Sequence, residues 1–238
     1  MGSPVEQGMP AEEVAAWLVD ERVVEHIFGE NLHAQVVKRC SDVLRFLAQR
    51  RALTDGHLDL IWSVADGKHE SVAQVVFQAI IETTQQLSPE HLAAVDARLR
   101  RLRLADYDKH RLHLLRGFTC NAISAQANLS APPDARPLYG VDILWELAQD
   151  DAPVALELRQ LAFNYLVDVL CWTPCHPYRG AHLDRCMTAL AERRSVLPAL
   201  QLAVRLLQSY GQGSGGFKGR KKGESGLAPA IDALAERH

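Results

Sequence analysis

Apolar residues recur at three- and four-residue steps along most of this chain, and this periodicity constrains its fold more than any other feature. In residues 10–28 the pattern passes through Val14, Leu18 and Val24, which predicts one helix there. Comparable stretches follow up to about residue 210. Strand-type alternation of apolar and polar residues extends over no useful length. The sequence therefore predicts an all-α protein.

Capping and breaking signals divide the periodic stretches into about nine or ten helices. The run Ser88-Pro89-Glu90 combines an N-cap, a first-turn proline and an early acid. Thr54 and Asp106 are the predicted N-caps of two other helices. Residues 130–137 predict a loop because their prolines lack backbone donors and disfavour helix before them. The prolines within 173–177 predict a second break.

The order of the helices indicates a repeat architecture. Short loops join neighbours into antiparallel hairpins that recur about every 40–45 residues, the range of HEAT and armadillo repeats. We therefore expect an armadillo/HEAT-like α-solenoid of stacked hairpins over residues 23–210, after a lead-in at 1–22. A compact bundle is the alternative, and it would need long crossovers. Trp62 and Trp145 lie on apolar stripes and are predicted to be buried.

The C-terminal part of the sequence has a different composition. Residues 211–226 are rich in glycine and locally basic, which predicts a flexible linker. In residues 227–238, Leu227, Ile231 and Leu234 indicate one more short helix.

Charge, hydropathy and cysteine content exclude several classes of protein. A net charge of -3 argues against a strongly basic nucleic-acid binder. No run approaches 18 uncharged apolar residues, and residues 1–10 lack the pattern of a secretory signal, so we expect no membrane association. Five cysteines at uneven spacing are typical of free thiols in a reducing compartment, which predicts a cytoplasmic location with the nucleus as an alternative.

The densest group of potential metal ligands suggests zinc as one alternative. Thiolates and imidazoles within 16 residues offer donors of the right type for a tetrahedral site. The first two cysteines have a three-residue gap where zinc knuckles usually have two, so packing cysteines and an exposed histidine are favoured. The group comprises Cys171, Cys175, His176, His182 and Cys186. We expect no metal and no cofactor.

Signatures of catalysis are weak. Cys120 or Cys186 with a nearby histidine is a conceivable thiol–imidazole pair, but cysteines on apolar helix faces are usually inert. The glycine run at 211–216 follows a helix and lacks the Gly-Lys-Ser/Thr of a phosphate-binding loop. No catalytic residue is assigned.

Two basic clusters are interpreted mainly as solvated surface. A nucleic-acid-binding groove remains the alternative, although acidic residues interrupt the first cluster and aromatic residues do not alternate with it. The clusters are Arg98, Arg100, Arg101, Arg103, Lys109, Arg111 and Arg116, and then Lys218, Arg220, Lys221 and Lys222. The histidines are scattered without common helical spacing and are expected to be structural or exposed; they include His26, His33, His57, His69, His91 and His110.

Several collinear motifs resemble the helical region of the large ubiquitin-specific proteases of the fat facets type. Together they cover about residues 23–210. The motifs are VEHIFGENLH at 24–33, LRFLA at 44–48, LTDGHLDLIW at 53–62, GKHE at 67–70, VDILWELA at 141–148, DDAPV at 150–154, LDRC at 183–186 and VLPAL at 196–200.

The resemblance implies a role in protein deubiquitination. Members of the family are cysteine proteases that remove ubiquitin, and an armadillo-like helical array flanks their catalytic domain. Their Cys box, of the type Gly-Leu-x-Asn-x-Gly-x-x-Cys, and their His box do not occur here. The resemblance thus implies a non-catalytic scaffold that binds ubiquitinated substrates or adaptors through the solenoid surface. A free-standing adaptor without a protease and a nucleic-acid-binding repeat are the alternatives.

Overall fold

The computed structural model describes residues 9–29, 34–65, 70–127, 132 and 135–212. Across these residues the secondary structure is helical with no strand, which confirms the all-α prediction. The chain divides into two compact units, one formed by Met1–Leu102 with Asp108–Asn128 and the other by Arg103–Tyr107 with Leu129–His238. Residues 211–212, predicted as the start of the linker, are instead the last residues of the helix Val196–Gln212; the rest of the predicted linker and the predicted terminal helix lie outside the described residues.

The first unit places alternate helices side by side. Helix α5 packs against both α3 and α7, while α4 packs on α5 and α6 on α7 as the other arm of each hairpin. A short 3₁₀ turn, Thr84–Gln86, follows α5. The helices are α1 (Ala11–Asp20), α2 (Val23–Ile27), α3 (Ala34–Gln49), α4 (Asp55–Ala65), α5 (Glu70–Thr83), α6 (Pro89–Arg101) and α7 (Lys109–Gln126).

The second unit repeats this arrangement with two hairpins. Its helices are α8 (Val141–Leu147), α9 (Leu156–Cys171), α10 (Arg179–Ala191) and α11 (Val196–Gln212). Helix α8 packs on α9, α10 packs on α11, and α9 lies beside α11. The break predicted within 173–177 is a 3₁₀ segment, Thr173–Tyr178, between α9 and α10.

Two predicted helix starts are confirmed in atomic detail. The Ser88 side chain accepts a hydrogen bond from the His91 backbone N–H, with Pro89 as the first residue of α6. Thr54 Oγ1 accepts from the His57 backbone N–H at 3.2 Å, and His57 Nδ1 accepts in return from the Thr54 N–H at 3.2 Å. This reciprocal pair is a capping box in which histidine takes the place of the usual Glu or Gln.

Two local predictions are wrong. The single helix predicted over 10–28 is broken into α1 and α2 at Arg22, which has a left-handed φ of 52°. Asp106 does not cap α7, because it belongs to the 3₁₀ turn Leu104–Asp106. The cap is Asp108, whose Oδ1 accepts from the Arg111 N–H at 2.7 Å. Both carboxylates precede the same apolar stretch, so spacing alone did not distinguish them.

In each unit the core is built from the apolar residues that its helices turn inward. Leu112, Leu115 and Phe118 on α7 are fully buried, as are Leu144 on α8 and Leu202 on α11. Burying one such side chain contributes about 1.5–3 kcal/mol. Of the two tryptophans predicted to be buried, Trp145 is buried and Trp62 is only half-buried. Helix α4 turns Leu58, Ile61 and Ala65 inward instead of Trp62.

The contact between α5 and α7 depends on a residue without a side chain. A Cβ added at Gly117 would lie 2.8–2.9 Å from three side-chain carbons of Ile81. Gly117 therefore allows the two helices to approach closely. Within the described ranges, no helix is long and apolar enough to cross a membrane.

Candidate protein-binding surface

The cysteines and histidines of the possible zinc group lie on three consecutive elements. Cys171 ends α9, Cys175 and His176 lie in the 3₁₀ segment, and Cys186 lies on α10. Cys175 and Cys186 are fully buried, and burial raises the pKa of Cys186 to about 12. His182 donates from Nδ1 to the Tyr178 carbonyl at 3.0 Å. Among the residues described, no three His, Cys, Asp or Glu side chains are grouped as a metal site would require.

A buried arginine occupies the centre of this region. The guanidinium of Arg179 donates to the carbonyls of Leu170 at 2.9 Å and Cys171 at 2.6 Å, at the C-terminus of α9. It also reaches Trp172 O at 3.3 Å and Ser209 O, on α11, at 3.4 Å. The Leu170 and Cys171 carbonyls belong to the last turn of α9, where a helix has no backbone donors left for its own carbonyls and where a cation is stabilised. Arg179 therefore joins α9, α10 and α11.

Burial acts against activation of three of the five thiols. Burial raises the pKa of Cys40, Cys171 and Cys186, whereas a thiol nucleophile needs a lowered pKa. Cys40 also donates to the carbonyl of Val36, one turn earlier. Cys120, the other candidate nucleophile, is half-buried on α7.

Acidic neighbours pair much of the first basic cluster. Arg98 contacts Asp59 at 2.5 Å, Arg100 contacts Asp96 at 2.6 Å, and Arg103 contacts Asp106 at 2.6 Å. Arg111 contacts Asp108 at 3.1 Å. These ion pairs reduce the positive potential that phosphate binding requires, so the structure gives the nucleic-acid alternative little support. The second basic cluster lies outside the described residues.

Polar contacts between successive hairpins recur at a nearly constant offset in sequence. In the first unit, Arg98 bonds Asp59 across 39 residues and Asn121 bonds the Ile81 carbonyl across 40. In the second unit, Arg185 bonds Asp142 across 43 residues and Ser195 accepts from the Asp150 N–H across 45. The predicted spacing of about 40–45 residues therefore reappears in the contacts themselves.

The second unit contains an open groove of about 850 Å³ between α9 and α11. Two contacts show that the helices run in the same direction: Asp150 bonds Ser195 near their first turns, and Arg179 bridges Leu170 and Ser209 near their last turns. The apolar lining of the groove includes Leu156, Phe163, Leu197, Leu200 and Val204. Sequence periodicity predicted α11 but did not show which of its apolar residues stay exposed.

Hairpins that contact the next hairpin about 40 residues along the chain define a helical-repeat protein. A family model described as the UBP24/USP9X/USP9Y ARM repeat matches residues 2–226, and the chain belongs to this family. The armadillo-type, all-α fold class predicted from the sequence is thereby confirmed.

Several animal proteins are similar to this chain in sequence. The chain is 33% identical to human ubiquitin carboxyl-terminal hydrolase 34 over 138 residues, 56% of this chain and 4% of the relative. It is 26% identical to mouse ubiquitin carboxyl-terminal hydrolase 9X over 211 residues, 87% of this chain and 8% of the relative. The Drosophila melanogaster protein named probable ubiquitin carboxyl-terminal hydrolase FAF is 26% identical over 204 residues, 82% of this chain and 7% of the relative. The chain thus spans less than a tenth of their length.

Proposed function

We propose that this chain is a non-catalytic helical scaffold of a fat-facets-like ubiquitin carboxyl-terminal hydrolase. Its task is to position ubiquitinated substrates or adaptors relative to a catalytic domain. The observation that carries the proposal is the family match over residues 2–226, together with relatives named as ubiquitin carboxyl-terminal hydrolases. Stacked helical repeats suit such a role because they present an extended surface for binding.

The chemistry of the thiols supports the non-catalytic part of the proposal. A deubiquitinating cysteine needs a histidine within hydrogen-bond reach and a third group that orients the histidine. Burial instead keeps Cys40, Cys171 and Cys186 protonated by raising their pKa. The protease activity in this proposal belongs to a catalytic domain with its own Cys and His boxes.

The proposal also specifies partners and location. The partners are proteins that bind the exposed helical surface, and the groove between α9 and α11 is the best-defined candidate. The proposed location is the cytoplasm, with the nucleus as the alternative, because free cysteines, of which the chain has five, are typical of a reducing compartment. A free-standing adaptor with the same scaffold is the alternative, and the reading frame distinguishes the two.

Two measurements test the proposal. Sequencing the complete reading frame should reveal a Cys box and a His box in the same protein; their absence would favour the adaptor. The isolated chain should not react with a ubiquitin probe that carries a thiol-reactive C-terminus. Labelling that disappears on mutation of one cysteine, with matching turnover of a fluorogenic ubiquitin substrate, would make this chain an enzyme and refute the proposal.

A further inference from the structure

Exposed apolar side chains concentrate on one face of the second unit. Across the part of the chain that the structure describes, ten large apolar side chains are exposed, and four of them line the groove between α9 and α11. Leu156 is 56% exposed, Leu197 60%, Leu200 50% and Val204 44%. A contiguous apolar face of this kind is typical of an interaction surface, since scattered single residues would not form a patch.

The α11 side of the groove has the spacing of a helix-docking surface. Leu197, Leu200 and Val204 are separated by three and four residues, so they form one stripe along α11. Phe163 on α9 lines the opposite wall. A groove between two helices that run in the same direction accepts the apolar stripe of a third helix.

The charged groups of the groove indicate what flanks that stripe. Arg205 lines the groove next to Val204, and its exposed side chain has no carboxylate partner among the described residues. Arg159 lines the groove on α9; it donates to the Asp150 carbonyl, while its Nε is buried without a hydrogen-bond partner. Asp150 is the acidic member of the lining, so the two arginines leave a net positive charge.

From this geometry we propose that the groove binds an amphipathic helix of a partner protein whose apolar stripe is flanked by carboxylates. The apolar residues of the partner helix cover Leu197, Leu200 and Val204, and one of its carboxylates pairs with Arg205. The chain's own residues 227–238 fit less well. On a helix, Asp232 and Glu236 would lie opposite the stripe of Leu227, Ile231 and Leu234, and not beside it. This proposal rests on the proposed function as a protein-binding scaffold, and names the class of partner.

The binding test uses the full chain and a synthetic helical peptide of about 18 residues with leucines at i, i+4 and i+7 and glutamates beside them. Fluorescence anisotropy of the labelled peptide reports affinity. Leu200→Glu should weaken binding about tenfold or more, because it removes apolar contact and opposes the peptide's charge. Met187→Glu makes a comparable change at an exposed residue of α10 outside the groove lining and should leave affinity unchanged.

A charge exchange tests the electrostatic part. Arg205→Glu should weaken binding of the glutamate peptide by about tenfold. It should strengthen binding of a matched peptide in which lysines replace the glutamates. Equal binding of both peptides to the wild-type chain, or no binding of the glutamate peptide at about 1 mM, would overturn the proposal.

A photoreactive residue at Val204 identifies the occupant directly. Cross-links to the added peptide support the proposal. Cross-links to residues 227–238 in the presence of the peptide would assign the groove to the chain's own tail and overturn it. Failure of these peptide experiments would leave the probe and reading-frame tests of the scaffold unaffected, so the two proposals fail separately.

Discussion

Asn121 on α7 donates a 2.7 Å hydrogen bond from Nδ2 to the main-chain carbonyl of Ile81 on α5, 40 residues earlier in the chain. One helical turn before Asn121, Gly117 leaves room for the side chain of the same isoleucine. The hydrogen bond and the close approach involve one residue of α5, so both fix the register of the two helices. This contact explains how successive hairpins of the first unit stack in one defined arrangement.

Replacing Gly117 by Ala should destabilise the first unit. Alanine normally stabilises a helix relative to glycine by about 0.5–1 kcal/mol, but here its Cβ would overlap Ile81. Overpacking of this kind typically costs about 1–3 kcal/mol, which we expect to see in urea unfolding. Gly56→Ala is the control, because a Cβ there meets only Thr54 Oγ1 at 3.6 Å. Equal gains in stability from both substitutions would contradict the close approach of α5 and α7.

Replacing Arg179 by Met should destabilise the second unit by about 2–4 kcal/mol, because buried carbonyls at the ends of α9 and α11 lose their donor. Arg179→Lys keeps the positive charge but not the planar guanidinium with its several donors, so it should lose less stability than Arg179→Met. Arg194→Met removes only an exposed pair with Glu192 and should cost well under 1 kcal/mol. Chemical unfolding followed by tryptophan fluorescence measures all three. A loss for Arg179→Met no larger than that for Arg194→Met would refute the anchoring role.

Acid should destabilise the second unit through His182. Burial lowers the pKa of His182 below 6.5, so the unfolded chain takes up its proton at higher pH than the folded chain. Stability therefore falls as the pH drops from about 6.5 towards the folded-state pKa, and it is retained above that range. His182→Asn keeps a donor for Tyr178 but does not titrate, so its unfolding free energy should depend less on pH across this window. An unchanged slope in the variant would show that His182 does not contribute.

Replacing Arg193 by Gly should be neutral or stabilising. Arg193 follows α10 with φ 55°, a left-handed conformation that costs a residue with a Cβ about 1–2 kcal/mol. Glycine removes this conformational cost in the folded state. It also raises the entropy of the unfolded chain, which offsets part of the gain in stability. Ala191→Gly, at the last helical residue of α10, should instead lower stability by about 0.5–1 kcal/mol. In thermal unfolding, Ala191→Gly should lower the Tm, whereas Arg193→Gly should leave it unchanged or raise it. A Tm drop for Arg193→Gly as large as that for Ala191→Gly would contradict a strained conformation at Arg193.

Sequence periodicity and capping predicted the helices well because both depend on residues close in the chain. The caps at Ser88 and Thr54 are examples, since each bonds a backbone N–H three residues away. The spacing between hairpins was also predictable, because the repeat is visible in the order of the helices. The family resemblance was carried by short motifs that the match over residues 2–226 extends to nearly the whole chain.

The burial prediction that was wrong, and the structural features that the sequence did not reveal, depend on residues distant in sequence. The exposure of Trp62 is set by which side of α4 faces α5, and periodicity leaves that choice open where most positions are apolar. Arg179 resembles any surface arginine until α9 and α11 bring their carbonyls to it. The groove likewise arises only when α9 and α11 pack side by side. No local sequence pattern distinguishes an apolar residue that packs against a neighbouring helix from one that stays exposed on the surface.

The proposed positioning role is tested most directly in the full-length deubiquitinase that the proposal expects to contain residues 23–210. Two rates are compared with and without residues 23–210: cleavage of a small fluorophore from ubiquitin, and removal of ubiquitin from a conjugated protein substrate. Because a scaffold contributes binding energy remote from the reacting bond, the first rate should change by less than about twofold and the second should fall about tenfold or more. An equal fall in both rates, or no change in either, would contradict the scaffold account.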